Sequence, residues 1–363
     1  ADNSMMGGVQ YSYSSERFLF MPSVVTTGVE LNYNTMSDEM LGYNRKLDQE
    51  VNTKSTFLQN EWKNAAWSIL TGVRLDKHNL IKKAILSPRI NIRYAPTPLV
   101  VLRGGYSTGF RAPQAFDEDL HITAVGGEVS IIQLSPGLKP EYSQTVSISA
   151  DLYKAFGPVE TNLLIEGFYT HLKDVFLLEE IGKDPQGNLL KERRNGSGAV
   201  VKGVNIEGKI APGRKFQLQM GGTIQESMYN KPESWSNNPN VDPQRKMFRT
   251  PDIYGYFTAT CTPTEAFNIS LSGVYTGPML VQHFAGYIPE DTEFRTPVFF
   301  DSTIKLAYNF FATDKTTWQL SGGVQNILNS FQKDFDRRPL RDAGYMYGPS
   351  LPRTFFAGIK LTM

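Results

Sequence analysis

The stretch Phe216-Gln217-Leu218-Gln219-Met220-Gly221-Gly222-Thr223-Ile224-Gln225 decides the fold class. Its even positions carry Phe, Leu, Met, Gly and Ile, while its odd positions carry Gln, Gln, Gly, Thr and Gln. Successive side chains of an extended chain point to opposite faces, so this pattern is a strand with one apolar and one polar side. The same division separates Val146, Ile148, Ala150 and Leu152 from Thr145, Ser147, Ser149 and Asp151. It returns in Trp318, Leu320, Gly322 and Val324 against Gln319, Ser321, Gly323 and Gln325, around Ile90, Ile92 and Tyr94, and around Val204, Ile206 and Ile210.

These segments run to about ten residues, roughly twice the usual strand of a soluble sheet and the length a tilted strand needs to cross a bilayer. The connections alternate in the same sense. Tight turns at Ala95-Pro96-Thr97-Pro98, Lys154 to Pro158, Ala211-Pro212-Gly213-Arg214 and Thr262 to Ala266 exchange with long loops at Gly109 to Glu141, Ser227 to Arg249, Gly277 to Thr296 and Asn326 to Pro352. Short turns at one end and long loops at the other are the plan of an outer-membrane barrel. Tyr94, Tyr153, Tyr275, Tyr308 and Phe310, near strand ends, are expected to form its aromatic girdle. A soluble β-sandwich with core aromatics is the plainer alternative. Fifteen or sixteen strands can be picked out, depending on whether the segments near Leu189 and Ala199 are one strand or two.

Composition agrees. The 363 residues include 22 Phe, 17 Tyr and 4 Trp, with 31 Gly and 21 Pro for turns. Lys and Arg number 37 against 36 Asp and Glu, so there is no basic excess of the kind that nucleic acid requires. No run approaches the roughly 18 apolar residues of a membrane helix. The single Cys261 excludes an internal disulfide and a Cys-rich metal site.

Two regions carry a family likeness. Phe110-Arg111-Ala112-Pro113 closes a strand, and after a long loop Pro136-Gly137-Leu138-Lys139-Pro140-Glu141 opens the next. Near the C-terminus, Val324-Gln325-Asn326-Ile327-Leu328-Asn329 precedes a loop and the closing strand Arg353 to Leu361. These boxes resemble those of TonB-dependent outer-membrane receptors, with Ser135 and Gly137 where the family usually has Asn and Asp or Asn. The resemblance implies an all-β, antiparallel transmembrane barrel of 22 strands with a plug domain that precedes it in sequence. On that footing residues 1–363 are the C-terminal part of the barrel, and the plug and N-terminal strands are not in this chain. It also implies a Gram-negative outer-membrane location and no enzymatic activity. Import would be of a metal chelate (iron–siderophore, haem or cobalamin) driven by the TonB–ExbB–ExbD complex through the plug. The alternatives are a glycan importer working with a surface lipoprotein, and a passive porin of about sixteen strands.

Candidate ligand groups lie in the long loops. His121 is the candidate haem-iron ligand, since imidazole is a common axial ligand, with a hydrogen-bonded loop histidine as the plainer reading. Asp117, Glu118 and Asp119 are a candidate Ca²⁺ site that would order the loop, or else a solvated acidic turn. No intrinsic cofactor is expected. Trp235, His283, Phe284, Tyr287, Tyr345 and Tyr347 are the ligand-contact candidates, because rigid aromatics supply area at little entropic cost. Arg337, Arg338 and Arg341 beside Asp334, Asp336 and Asp342 read as a salt-bridged loop. Enzyme signals are weak: Cys261 sits in an alternating strand, and Glu179-Glu180 has no partner across a cleft that sequence defines.

Overall fold

A computed structural model describes residues 1–40, 45–113, 130–183, 185, 189–312, 316–337, 340–342 and 344–362. Among these residues there is no helix. In chain order the strands are β1 (Asp2–Phe18), β2 (Met21–Met40), β3 (Arg45–Lys63), β4 (Trp67–His78), β5 (Ile85–Thr97), β6 (Val100–Arg111) and β7 (Ser130–Leu134). There follow β8 (Glu141–Phe156), β9 (Val159–Lys173), β10 (Phe176–Lys183), β11 (Leu189–Asn195), β12 (Ala199–Pro212), β13 (Phe216–Glu233) and β14 (Gln244–Lys246). The last are β15 (Ile253–Thr264), β16 (Phe267–Thr276), β17 (Leu280–His283), β18 (Thr292–Arg295), β19 (Phe299–Ala312), β20 (Thr317–Gln325) and β21 (Thr354–Thr362).

Fifteen of these, β1–β6, β8, β9, β12, β13, β15, β16 and β19–β21, make one curtain in which each strand pairs antiparallel with the next, and short β14 attaches to β13. The short strands β7, β10, β11, β17 and β18 form two separate sheets in the long connections. The segment near Leu189 is therefore not wall. It is β11, paired with β10 and, in parallel, with β7 above the curtain. Among the described residues β1 pairs only with β2 and β21 only with β20, so the curtain has two edges.

The register sets the two faces. Ile148 pairs with Gly104 and Gly167, Ile206 with Ile165 and Gly222, and Met220 with Phe257, which lines up the apolar positions on one side. That side faces outward: Ile148 is 71% exposed and Ile224 61%. Polar side chains take the sheltered positions opposite, with Asp76, Ser55, Asp151 and Thr223 all buried. A soluble sandwich places these classes the other way round. Apolar positions turned outward from a polar interior are what a hydrocarbon solvent selects.

Strand lengths vary in a way that shows where the bilayer ends. β16 has 10 residues, while β1, β2 and β3 have 17, 20 and 19. Since about 9–11 residues span the hydrocarbon, about half of each long strand stands clear of it, on the loop side. At the turn end Trp67 stacks on Tyr94 with centroids 4.2 Å apart, and Phe267 meets Tyr308 as Phe310 meets Trp318. Tyr275, paired with Gly255 and Phe300, stands at the opposite end. Tyr153 leaves the expected girdle: it has the parity of the polar face, and its hydroxyl donates to Asp151 at 2.8 Å.

Glycine serves the wall at points of close approach. A Cβ on Gly323 would lie 2.1 Å from the Ile304 carbonyl oxygen and 2.6 Å from the Phe356 ring, so the ring of the neighbouring strand covers the backbone that the glycine leaves bare.

Candidate functional site

The family boxes prove to be joints between wall and loops. Phe110 and Arg111 end β6 opposite Tyr142 and Glu141 of β8. Ala112 is buried with Ile81 and Ile85, and Phe110 and Tyr142 pack against that cluster, while Pro113 is buried beside it in sequence. The Arg111 guanidinium lies over the Phe176 ring at 5.5 Å. Pro136 and Gly137 form an exposed turn that the Leu138 amide closes by donating to the Ser135 carbonyl at 3.0 Å. Asn195 grips the next residue at two points, accepting from the Lys139 amide at 2.8 Å and donating to the Lys139 carbonyl at 3.0 Å. After Pro140, Glu141 accepts the Phe176 amide at 2.9 Å. The box thus docks the β10–β11 hairpin onto the rim, and its residues hold the loops in place.

The C-terminal box works similarly. Asn326 and Asn329 both have positive φ, a conformation that asparagine tolerates better than most residues. The buried Asn326 side chain donates to the carbonyls of Ser330 and Leu351 and accepts from the Ser330 amide, and Asn329 accepts from the Arg353 amide at 3.0 Å. These bonds tie the two feet of the 326–353 loop together.

Above this foot lies a packed cap. Val281, Phe299, Tyr345 and Tyr347 form a buried cluster flanked by Met279 and Phe294. The His283 ring stacks on Tyr345 with centroids 3.6 Å apart, and its Nε2 meets Asp336 at 2.9 Å. Asp334 accepts from both phenols, Tyr345 at 3.0 Å and Tyr347 at 2.5 Å. Gln332 fixes the backbone between them, donating to the Tyr345 carbonyl and accepting from the Tyr347 amide. Burial, with the Asp334 carboxylate adding to it, pushes the Tyr345 phenol up to about 12 and Tyr347 upward as well. A third loop joins through Arg249, whose amide donates to the Leu280 carbonyl and whose guanidinium donates to the Gly344 and Met346 carbonyls.

The expected salt-bridged loop is therefore built otherwise. Asp334 serves tyrosines, Asp336 serves His283 and the Asp342 amide, and Asp342 serves the amides of Phe284 and Gly344. Among the described residues neither Arg337 nor Arg341 forms an ion pair with them, and Arg338 lies outside those residues.

Of the contact candidates, five come together. Trp235 packs edge-on to Phe284 and Phe248 and donates to Glu293 at 3.2 Å, and Lys191 lies over the Phe284 ring at 5.2 Å. His283, Tyr345 and Tyr347 lie beneath them, at most 8% exposed, as the cap's core. Tyr287, 52% exposed, stands free at the surface. Beside the cap a hollow of about 540 Å³ is lined by Phe294, Phe331, Arg295, Lys333, Asp334 and Tyr347. Its two cations carry no signature in the sequence, since single basic residues in long loops are common. His121 and the Asp117-Glu118-Asp119 run lie outside the described residues. Among those that are described, no group of three or more acidic, His or Cys side chains is placed to hold a metal.

The spacing Gly-x-Ser-x-Gly occurs at Gly105-Tyr106-Ser107-Thr108-Gly109, but it runs straight along β6. The sharp strand-to-helix turn that makes such a serine a nucleophile is not there.

Wall, rim joints and loop cap together define an outer-membrane barrel wall of the receptor type. Residues 3–327 match the family model described as TonB dependent receptor-like, beta-barrel, and the chain belongs to that family, whose members are receptors and transporters of the outer membrane and not enzymes. The iron-regulated outer membrane virulence protein of Vibrio cholerae is 33% identical over 134 residues, covering 35% of this chain and 19% of that one. Among solved structures, the siderophore receptor PirA of Acinetobacter baumannii superposes with a TM-score of 0.70 at 15% identity, covering 99% of this chain and 55% of that one. The ferric enterobactin receptor of Pseudomonas aeruginosa gives 0.70 at 14%, covering 99% and 54%. At these identities the structural likeness speaks to the fold. The chain spans about half the length of these solved receptors.

Proposed function

We propose that this chain is the C-terminal part of the wall of an outer-membrane receptor that takes up a metal chelate, with an iron–siderophore as first choice and haem and cobalamin as the further classes. The observation that carries the reading is the loop cap: three long connections pack into one body over the polar side of the curtain, beside a hollow that offers aromatic rings and two cations. Its relatives point the same way, since they include an iron-regulated protein and receptors named for siderophores and ferric enterobactin.

In this reading the loops bind the chelate, and a plug with the remaining strands, carried elsewhere in the receptor, closes the barrel. TonB, with ExbB and ExbD, transmits the energy for release. Closure is needed on physical grounds, because each open edge would leave a row of unpaired backbone groups in hydrocarbon. Tyr287, Phe284 and Trp235 are the surface contacts, and His283, Tyr345 and Tyr347 set the shape beneath them. His121 and a loop Ca²⁺ remain proposals for the segment between the two rim boxes.

The test is uptake of ⁵⁵Fe-labelled chelates by cells that carry the full-length receptor as their sole such route. Energy-dependent uptake that is lost without TonB supports the reading. Uptake of oligosaccharide instead, requiring a surface lipoprotein, would replace it with the glycan reading. Free diffusion of small solutes would leave a porin.

A further inference from the structure

The outward face of β8, β9, β12 and β13 carries a hollow. These strands lie in mid-curtain, with six wall strands before β8 and five after β13, so neither the curtain's edges nor its lumen shapes this face. On β9 the outward positions run Ile165, Gly167, Tyr169, His171 and Lys173. Gly167 is paired with Ile148 on one side and Val204 on the other, so two branched side chains flank a bare floor one strand wide. Neighbouring strands are about 4.8 Å apart, which sets the backbones of the two walls about 10 Å apart and leaves room for one hydrocarbon chain. The hollow measures about 620 Å³ and is bordered by Val146, Ile148, Tyr169, Val204, Ile224 and Lys202. The backbone does not demand glycine there. A Cβ on Gly167 would meet only Ile148 Cγ2, at 3.9 Å.

The chemistry changes at the upper end. Tyr169 lies ten residues along β9 from Val159 at the turn end, about 25 Å up the membrane normal for a strand tilted by about 40°, which is the height of the apolar band. Its phenol therefore stands at the headgroup level of the loop-side leaflet, where belt aromatics sit. Lys202 is paired beside Tyr169, and its ammonium, bonded to Glu226 at 2.9 Å, keeps further donors to offer. Beyond Tyr169 come His171 and the exposed Lys173, about 7 and 13 Å further along the strand. Among the described residues no carboxylate pairs with Lys173. An apolar slot inside the band thus leads up to two ammonium groups, which matches a lipid with its chain in the slot and an anionic headgroup above it.

We propose that this face binds one molecule of the phosphorylated glycolipid of the outer leaflet, lipid A, with the upper part of one acyl chain over Gly167 and a phosphate held by Lys173 and Lys202. Position and charge select this occupant: the long loops of an outer-membrane barrel are extracellular, so the slot opens into the outer leaflet, and the groups at its mouth attract phosphate. Such a site is independent of the cargo that the receptor carries.

The experiment titrates the purified full-length receptor in mild detergent with three probes, followed by native mass spectrometry: lipid A with two phosphates, its dephosphorylated form, and phosphatidylglycerol. One lipid A per barrel is expected, held about tenfold more tightly than either of the other two. Lys173→Gln/Lys202→Gln lowers that affinity about tenfold and Lys173→Arg/Lys202→Arg keeps it, because charge is what the phosphate reads. Gly167→Leu, which fills the slot, lowers it about fivefold. The melting temperature without lipid stays near wild type in the lysine variants, so they test the site even if the leucine variant folds poorly. Equal binding of phosphatidylglycerol, or unchanged lipid A binding in the Gln variant, would overturn the site and leave an ordinary lipid annulus. A stable dimer that Gly167→Leu dissociates would overturn it too, and give the hollow to a second copy of the receptor.

Discussion

The wall and the loop cap sort the same residue types in opposite ways. In the wall Ile148, Val146 and Ile224 face outward while Asp151 and Thr223 are sheltered. In the cap Val281, Phe299 and Tyr347 are buried, and Tyr287 and Met346 are at the surface. One chain is thus folded for two solvents: hydrocarbon along the wall strands β8, β9, β12, β13, β15 and β16, where apolar side chains need no cover, and water above the rim, where they do. The boundary is marked by the two boxes, where Lys139 held by Asn195, Glu141 on the Phe176 amide and Asn326 on the Leu351 carbonyl fasten loops of the second kind to strands of the first.

The contrast can be broken by substitution. Phe299→Ala empties the cap core and should cost about 3–5 kcal/mol, read as rapid proteolysis of the 326–353 loop while the wall keeps its heat-resistant mobility. Loss of both together would mean that cap and wall are one cooperative unit. Ile148→Arg, at the middle of β8, should destabilise the barrel in lipid vesicles by about 2–4 kcal/mol, whereas the same change on a water-facing surface costs little. Asp334→Ala strands two buried phenols and should cost the cap about 1–3 kcal/mol. At the small end, Tyr287→Ala should leave stability within about 0.5 kcal/mol of wild type and lower chelate affinity alone.

The cap also has a predicted pH dependence. Tyr345 holds its proton in the folded state to about 12, above the ordinary value of 10.0, because it is buried and beside Asp334. A group with a raised folded value stabilises fully below its unfolded value, and that contribution is lost as pH rises from about 10 to about 12. Tyrosinate absorbance near the cap should therefore appear late in an alkaline titration and together with loop opening. In Asp334→Asn it should appear earlier.

The wall was legible because its signal is local. Period-two alternation in Phe216–Gln225 or Val146–Leu152 depends only on which solvent meets each face, and the turn lengths fix which end bears the loops. Position near a strand end does not make Tyr153 a girdle residue, because its parity puts it on the polar face, and local strand chemistry near Leu189 does not tell wall from loop, because β11 pairs with β10 and β7. The cap was legible only as a set of aromatics. Its wiring joins Arg249 to Gly344 and His283 to Asp336 across 95 and 53 residues, and no short-range pattern encodes such contacts. That His283, Tyr345 and Tyr347 would be core, with Tyr287 left at the surface, follows from those long-range bonds.

The central claim is that the polar face of the curtain faces the lumen and the apolar face faces lipid. Cysteines placed one at a time from Thr145 to Leu152 in a Cys261→Ser background, labelled in outer membranes with a charged maleimide, test it directly. The account predicts labelling at Thr145, Ser147, Ser149 and Asp151 once the lumen is opened, and none at Val146, Ile148, Ala150 and Leu152. Labelling of both sets alike, or of the even set, would contradict it.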